Sequence, residues 1–248
     1  KMNIPGAASA TLVVLLAFSS AHGEPEHEAA RDGDTQTLRV LVESGVNVNS
    51  RDNYGKTPLH WARDQETAEL LIAYGADIDA RDEYGHTPLH DADNAAVVNT
   101  LIAHGAEVNV TDISGDTPLH QVIKFLWYTG RSELVPVIEE LLAHGADCDA
   151  RDDDGRTALH YAGSVALARL LIDHGADVNA RDNEGLKPWD VVRRRWANKK
   201  VREIELLTLL SDAGGHGLRP IRAIVIPVLA SGLAATLLLV GFLRLKTR

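Results

Sequence analysis

Eleven histidines stand in a chain of 248 residues that holds a single cysteine, Cys148. Four of them, His60, His90, His120 and His160, close the same tetrapeptide, Thr-Pro-Leu-His or Thr-Ala-Leu-His. A recurring imidazole offers two kinds of chemistry, metal ligation and proton transfer near neutral pH. The acidic stretch Arg151-Asp152-Asp153-Asp154-Gly155 has a faint likeness to a calcium loop. It lacks the alternating Asp/Asn and the distal bidentate Glu that such a loop needs, so it is read as a solvated turn. One cysteine excludes an intramolecular disulfide and any multi-cysteine zinc site. The chain contains no Gly-x-Ser-x-Gly, no phosphate-cradling glycine loop and no His-Glu-x-x-His. The expectation is therefore a protein that is not an enzyme, with no cofactor and no metal site. The rival is a metal-binding or enzymatic protein that uses the four histidines as a ladder.

The elements that carry these histidines repeat. The segments 52–62, 82–92, 112–122, 152–162 and 182–192 are one motif, DNYGKTPLHWA in its first copy. A second motif, of the form HGADVNA, trails each, and glycines 45, 75, 105, 145, 175 and 214 close six units. The units run over about 25–50, 51–80, 81–110, 111–150, 151–180 and 181–214. In each, Thr is a helix N-cap, Pro suits the first helical position, and the Leu two residues after Thr points into a core. The stretches before the glycines, such as TAELLIAYG, show apolar spacing of three and four, which predicts an amphipathic helix. The glycine then supplies a left-handed C′ residue, and Asp-x-x-Gly beyond it is turn chemistry.

These motifs resemble the ankyrin repeat over about residues 27–214. The resemblance implies an all-α solenoid of six helix–turn–helix units joined by β-hairpin-like fingers. It implies protein–protein recognition through finger tips and inner helices, which here places Tyr54, Lys56, Tyr84, His86, Ile113, Asp116 and Arg156 at a partner surface. It also implies that the four histidines hydrogen-bond backbone between neighbouring units. Units about 10 Å apart set them too far from one another to share an ion at ~2 Å bonds. Cys148 takes the place of Ile78, Val108 and Val178 in sibling units and is read as a small core residue. The usual period is ~33 residues. Units two, three and five are three residues shorter, which places a deletion in the turn between helices. Units four and six are longer by about ten residues. Shared between two helices, that excess predicts ~7 Å of overhang each. Units four and six then wall a notch above unit five, with Phe125, Trp127 and Tyr128 on one side and Trp196 on the other. The notch is the expected docking site of the partner; the competing outcome is closure, with Trp127 meeting Trp196 across the gap. The first unit, without a finger, fits an N-terminal cap.

Charge divides the chain into three. The net charge is −10, which argues against a nucleic-acid surface. Residues 1–23 and 219–248 hold no Asp or Glu, so all 35 acidic residues lie between them. Residues 1–23 have the layout of a signal peptide, an apolar run TLVVLLAF followed by small residues before Glu24. After a linker, 215–222, the residues Ala223–Leu243 carry no charge and reach about 31 Å as a helix, which predicts one transmembrane span. The tail 244–248 is basic and prefers the cytoplasm. In unit six Arg193, Arg194, Arg195, Lys199, Lys200 and Arg202 are placed against lipid headgroups. The expected protein is a membrane-anchored, non-enzymatic scaffold whose repeat domain is periplasmic or otherwise extracytoplasmic. It would bind a protein partner, reach the membrane through Ala223–Leu243, and bind no nucleic acid. A tail-anchored cytoplasmic adaptor is the alternative if the first segment does not direct export.

Overall fold

A computed structural model describes residues 24–191. The segment 1–23, the sixth unit beyond residue 191, the linker 215–222, the apolar run 223–243 and the tail 244–248 lie outside the described residues. Among those described, no helix is long and apolar enough to cross a membrane.

The outer layer consists of α2 (Thr35–Glu43), α3 (Gln65–Ala73), α5 (Ala95–Ala103), α7 (Val135–Ala143) and α8 (Val165–Asp173), each nine residues long. Four of the five, all but α7, start from side-chain caps that satisfy otherwise unpaired first-turn amides. Asp34, Asp64 and Asn94 accept from Thr37, Thr67 and Ala96 N–H at 2.9, 2.9 and 2.8 Å. The ends follow from glycine: Gly75, for example, sits at φ +88° beyond α3, where an L side chain would be strained. Each outer helix sends a leucine into the core at the same place, four residues before the closing glycine: Leu41, Leu71, Leu101, Leu141 or Leu171, and none is more than 1% exposed. Each such burial stabilises by about 1.5–3 kcal/mol.

The inner layer is uneven. It begins with α1 (Pro25–Asp32). In the second and fifth units it shrinks to single 3-10 turns, Pro58–Trp61 and Ala158–Tyr161, and in the third to α4 (Pro88–Asp91). In the fourth unit it grows to α6 (Pro118–Thr129), twelve residues. A short 3-10 turn, Ser132–Leu134, then leads into α7. Two expectations are corrected here. The missing residues of the short units are taken from the inner helix, which is reduced to one turn. The extra residues of unit four are not shared between two helices, because α7 keeps the length of its siblings. They build α6 and its connection instead, so that α6 exceeds α4 by eight residues, ~12 Å.

The fold is all-helical, with no strand among the described residues. The fingers expected to be hairpin-like are tight turns. Asp52 N–H donates to Lys56 O at 2.9 Å, and Gly55 N–H to Asp52 O at 2.9 Å. Successive fingers are stitched to one another: Glu83, Ile113, Asp153 and Asn183 N–H donate to Tyr54, Tyr84, Ser114 and Asp154 O at 2.9–3.1 Å. Too few bonds follow in register to make a sheet, yet enough to hold the tips in one row.

Candidate interaction surface

The histidines form a ladder of interunit bonds. His60, His90, His120 and His160 are buried, and each Nδ1 accepts from the N–H of the Thr three residues earlier. An acceptor Nδ1 places the proton on Nε2. That nitrogen donates to a carbonyl at the next finger's base: His86 O at 3.1 Å, Asp116 O at 3.0 Å, Arg156 O and Leu186 O at 3.2 Å. Burial pushes all four imidazoles below their ordinary pKa, His90 to about 4. Both ring nitrogens are engaged, so the ladder has none to offer an ion. A fifth rung was missed in the sequence. His27 Nε2 reaches Lys56 O at 2.9 Å. The signal was present: Glu24-Pro25-Glu26-His27 matches Thr-Pro-Leu-His at two positions. Glu26, in the leucine's place, is buried and accepts from Ser50 Oγ at 2.5 Å.

A second column runs along the finger bases. Asp52, Asp82, Asp112 and Asp182 each accept, through Oδ1, from backbone amides two and four residues on; Asp152 accepts from Arg156 N–H. Their second oxygens face the inner layer. Trp61 Nε1–H donates to Asp52 Oδ2 at 3.0 Å, and Tyr161 O–H to Asp152 Oδ2 at 2.6 Å. Lys124 Nζ bridges Asp116 (2.6 Å) and Asp152 (3.2 Å). Burial raises the Asp116 pKa despite Lys124; for Asp152 burial also acts upward, but hydrogen bonds from Tyr161 and Arg156 hold it below the ordinary value.

This column explains where four sequence-predicted contact residues lie. Lys56, His86, Asp116 and Arg156 sit at the finger bases, and their polar ends turn inward. Lys56 pairs with Asp91 at 2.8 Å, Asp116 with Lys124, and Arg156 with Asp182 at 3.4 Å; His86 Nε2 lies 3.3 Å from Asp112. The finger-tip residues differ. Tyr54, Tyr84 and Ile113 are 56%, 50% and 66% exposed and stand on consecutive stitched fingers. The next two tips carry Asp153, Asp154 and Glu184. The row is thus apolar at its N-terminal end and acidic at its C-terminal end.

The end of α6 forms a ridge. Phe125 and Tyr128 are exposed, Tyr128 at 76%. On the flank toward units two and three, Arg131 lies 5.7 Å over the Phe125 ring and 3.4 Å from Asp93. That flank holds a cavity of about 220 Å³ lined by Lys56, Trp61, Arg63, Asp93, Phe125 and Arg131. On the unit-five flank Trp127 meets Tyr128 edge to face at 4.7 Å. Trp127, Leu126, Gly163, Leu167 and Leu170 line a larger groove there, about 950 Å³. The expected opposite wall, Trp196, lies outside the described residues. So do Arg193, Arg194, Arg195, Lys199, Lys200 and Arg202. Cys148 is buried, and burial pushes its thiol up to about 11, the behaviour of a core residue rather than a nucleophile.

The family model for ankyrin repeats matches in three copies, over residues 9–82, 26–112 and 92–182. An ankyrin repeat domain from Acinetobacter baumannii superposes with a TM-score of 0.61 at 27% identity, covering 77% of this chain and 97% of that one. The ankyrin repeat domain of Bcl-3, of the IkappaB protein family, gives 0.62 at 26%, covering 82% and 92%. Acyl-CoA-binding domain-containing protein 2 of Arabidopsis thaliana is 51% identical over 39 residues, 16% of this chain. A putative ankyrin repeat protein of Rickettsia bellii is 47% identical over 38 residues, 15% of this chain. The matched stretches span only 11% and 16% of these two relatives.

Proposed function

We propose, starting from the fact that this chain belongs to the ankyrin-repeat family, that it is a membrane-anchored scaffold which binds a protein partner outside the cytoplasm and catalyses nothing. The observation that carries the reading is the row Tyr54, Tyr84 and Ile113, half or more exposed on fingers whose backbones are bonded to one another. Ankyrin repeats are protein-interaction modules. Exposed aromatic side chains on a rigid frame supply contact area with little entropy left to lose. The acidic tips beyond them favour a partner with an apolar patch flanked by basic residues. The ridge of α6, with Phe125, Trp127 and Tyr128, is the second contact element. Lys56, His86, Asp116 and Arg156 support the fingers from behind. Membrane anchoring rests on the uncharged 21 residues Ala223–Leu243, and export on the apolar run before Glu24. On this reading the basic residues Arg193–Arg202 hover at anionic headgroups.

The test is crosslinked capture from membranes by the full chain and by a variant with Tyr54, Tyr84 and Ile113 changed to Ser. The captured partner is expected to be lost from the variant while the melting temperature stays put. Equal capture by both would overturn the tip row as the binding surface. A compartment-specific reporter fused before Glu24, in place of the first segment, is expected to be inactive outside the cytoplasm. One fused after the intact segment is expected to be active there; silence of the latter would overturn export.

A further inference from the structure

We propose that Asp82, His86 and Asp91 form a site for one zinc-like divalent cation, with Asp112 orienting the imidazole. The inference begins from a break in the finger-base column. In the second and fifth units the residue four places after Thr is a donor, Trp61 or Tyr161, and it satisfies the finger aspartate of its own unit. In the third unit that place is held by a carboxylate, Asp91. Asp82 Oδ2 is therefore left without a hydrogen bond, in a side chain that is 0% exposed. His86 Nδ1, facing it, is buried and equally without a partner. Lys56 does not resolve this: its ammonium sits 2.8 Å from Asp91 Oδ2 but 3.9 Å from Asp82 Oδ2.

The distances fit an ion better than they fit hydrogen bonds. Nδ1 of His86 lies 3.6 Å from Asp82 Oδ2 and 3.9 Å from Asp91 Oδ1, beyond a good hydrogen bond. One atom from each of the three residues can be chosen with all separations within 4.8 Å. Four ligands at ~2.0–2.2 Å around zinc stand roughly 3.4 Å apart, so a small closing motion brings the three into contact with one ion. A ligating imidazole usually donates its other N–H to a carboxylate, which fixes its tautomer and ring plane. Here His86 Nε2 faces Asp112 Oδ2 at 3.3 Å. The neighbouring His90 stacks on His86 at 5.5 Å, but both its nitrogens are taken, by Thr87 and by Asp116 O. Charge points the same way. Three largely buried carboxylates share one ammonium, which leaves two negative charges for a divalent ion to offset. An imidazole among few oxygens selects a transition ion over calcium, which takes six to eight oxygens. The bound ion would tie the third finger to its own inner turn and, through Asp112, to the fourth unit.

The experiment uses the full chain, stripped by chelator and titrated with Zn2+ in competition with a metal-sensitive dye, and with Co2+ as an absorbing substitute. One equivalent is expected to bind and to raise the melting temperature. Two variants are chosen because sibling units carry the same residue at the same place: His86→Lys, as in Lys56, and Asp91→Gln, as in Gln121. Each is expected to fold and to lose that equivalent, while Asp112→Asn keeps the stoichiometry and weakens it about 10–100-fold. Retention of the ion in His86→Lys overturns the proposal. So does its loss on Glu24→Gln instead, which would place it at the cluster of Glu24, Glu26 and His27. A chain that binds no ion overturns it as well.

Discussion

Trp127 lies so close to Gly163 that a Cβ at that glycine would come within 2.6 Å of the indole Cδ1. The positions equivalent to Gly163 in the second and third units are Arg63 and Asp93. Only the unit beneath the long α6 has glycine there, and the contact supplies the reason. The expected outcome of Gly163→Ala is a loss of about 1–3 kcal/mol, the usual cost of overpacking, with Trp127 displaced toward solvent. Urea unfolding and tryptophan emission read both. Trp127→Ala should cancel the penalty in a double-mutant cycle. Additive losses would show that the two residues do not meet.

Removing one rung of the ladder strands two groups at once. In His120→Ala the Thr117 N–H loses its imidazole acceptor and Arg156 O loses its donor, in a site with no exposure. The expected cost is about 1–3 kcal/mol in the urea midpoint. A midpoint equal to that of the parent would show the rung to be dispensable.

The same ladder makes the fold acid-sensitive. Each ladder imidazole accepts through Nδ1, so protonation breaks a bond as well as charging a buried ring. The folded pKa values lie below the ordinary 6.5, with His90 at about 4. The unfolded chain therefore takes up protons first, and stability falls as pH drops from about 6.5 toward 4. For His90 alone the loss is roughly 3 kcal/mol once the pH is below 4. Urea midpoints at about pH 7.5, 6 and 5 should fall in that order. A flat profile across that window would contradict the burial of the ladder.

Lys124 is the cation shared by two finger carboxylates of adjacent units. Lys124→Met leaves Asp116 and Asp152 facing each other without an ammonium, and about 3 kcal/mol is expected to be lost at neutral pH. Because burial already raises the Asp116 pKa, the deficit should shrink as the pH falls and that carboxyl takes up a proton. A deficit that does not change with pH would point to lost packing against Tyr161, 4.4 Å away, rather than lost charge.

The phase of the repeat was legible because caps and stops are local. Thr-Pro-Leu-His and the closing glycines act through their own backbone, so their positions survive any tertiary context. What unit four does with its extra residues was not legible in the same way. Nothing local in Phe125-Leu126-Trp127-Tyr128 says whether it prolongs one helix or two; the length of α7 is set by stacking on α5, and the surplus goes where no neighbour stops it. The facing of Lys56, His86, Asp116 and Arg156 was hidden for a related reason. Each stands at the base of its turn, where an aspartate four residues earlier holds its backbone amide and the side chain meets the inner layer. Tyr54 and Tyr84 are held by the same aspartates but stand at the apex of the turn, and their side chains stay outside.

The ladder has a direction. Every rung runs from an imidazole of one unit to a carbonyl of the unit that follows: His27 to Lys56, His60 to His86, His90 to Asp116, His120 to Arg156, His160 to Leu186. On a ribosome the imidazole is therefore made before its acceptor, and each nascent unit waits with one unfilled donor until about 26 to 36 further residues emerge. The growing end is always the unsatisfied one. A chain cut back from its front exposes only a carbonyl that water can serve, whereas a chain cut short at its rear leaves a buried N–H with nothing to reach.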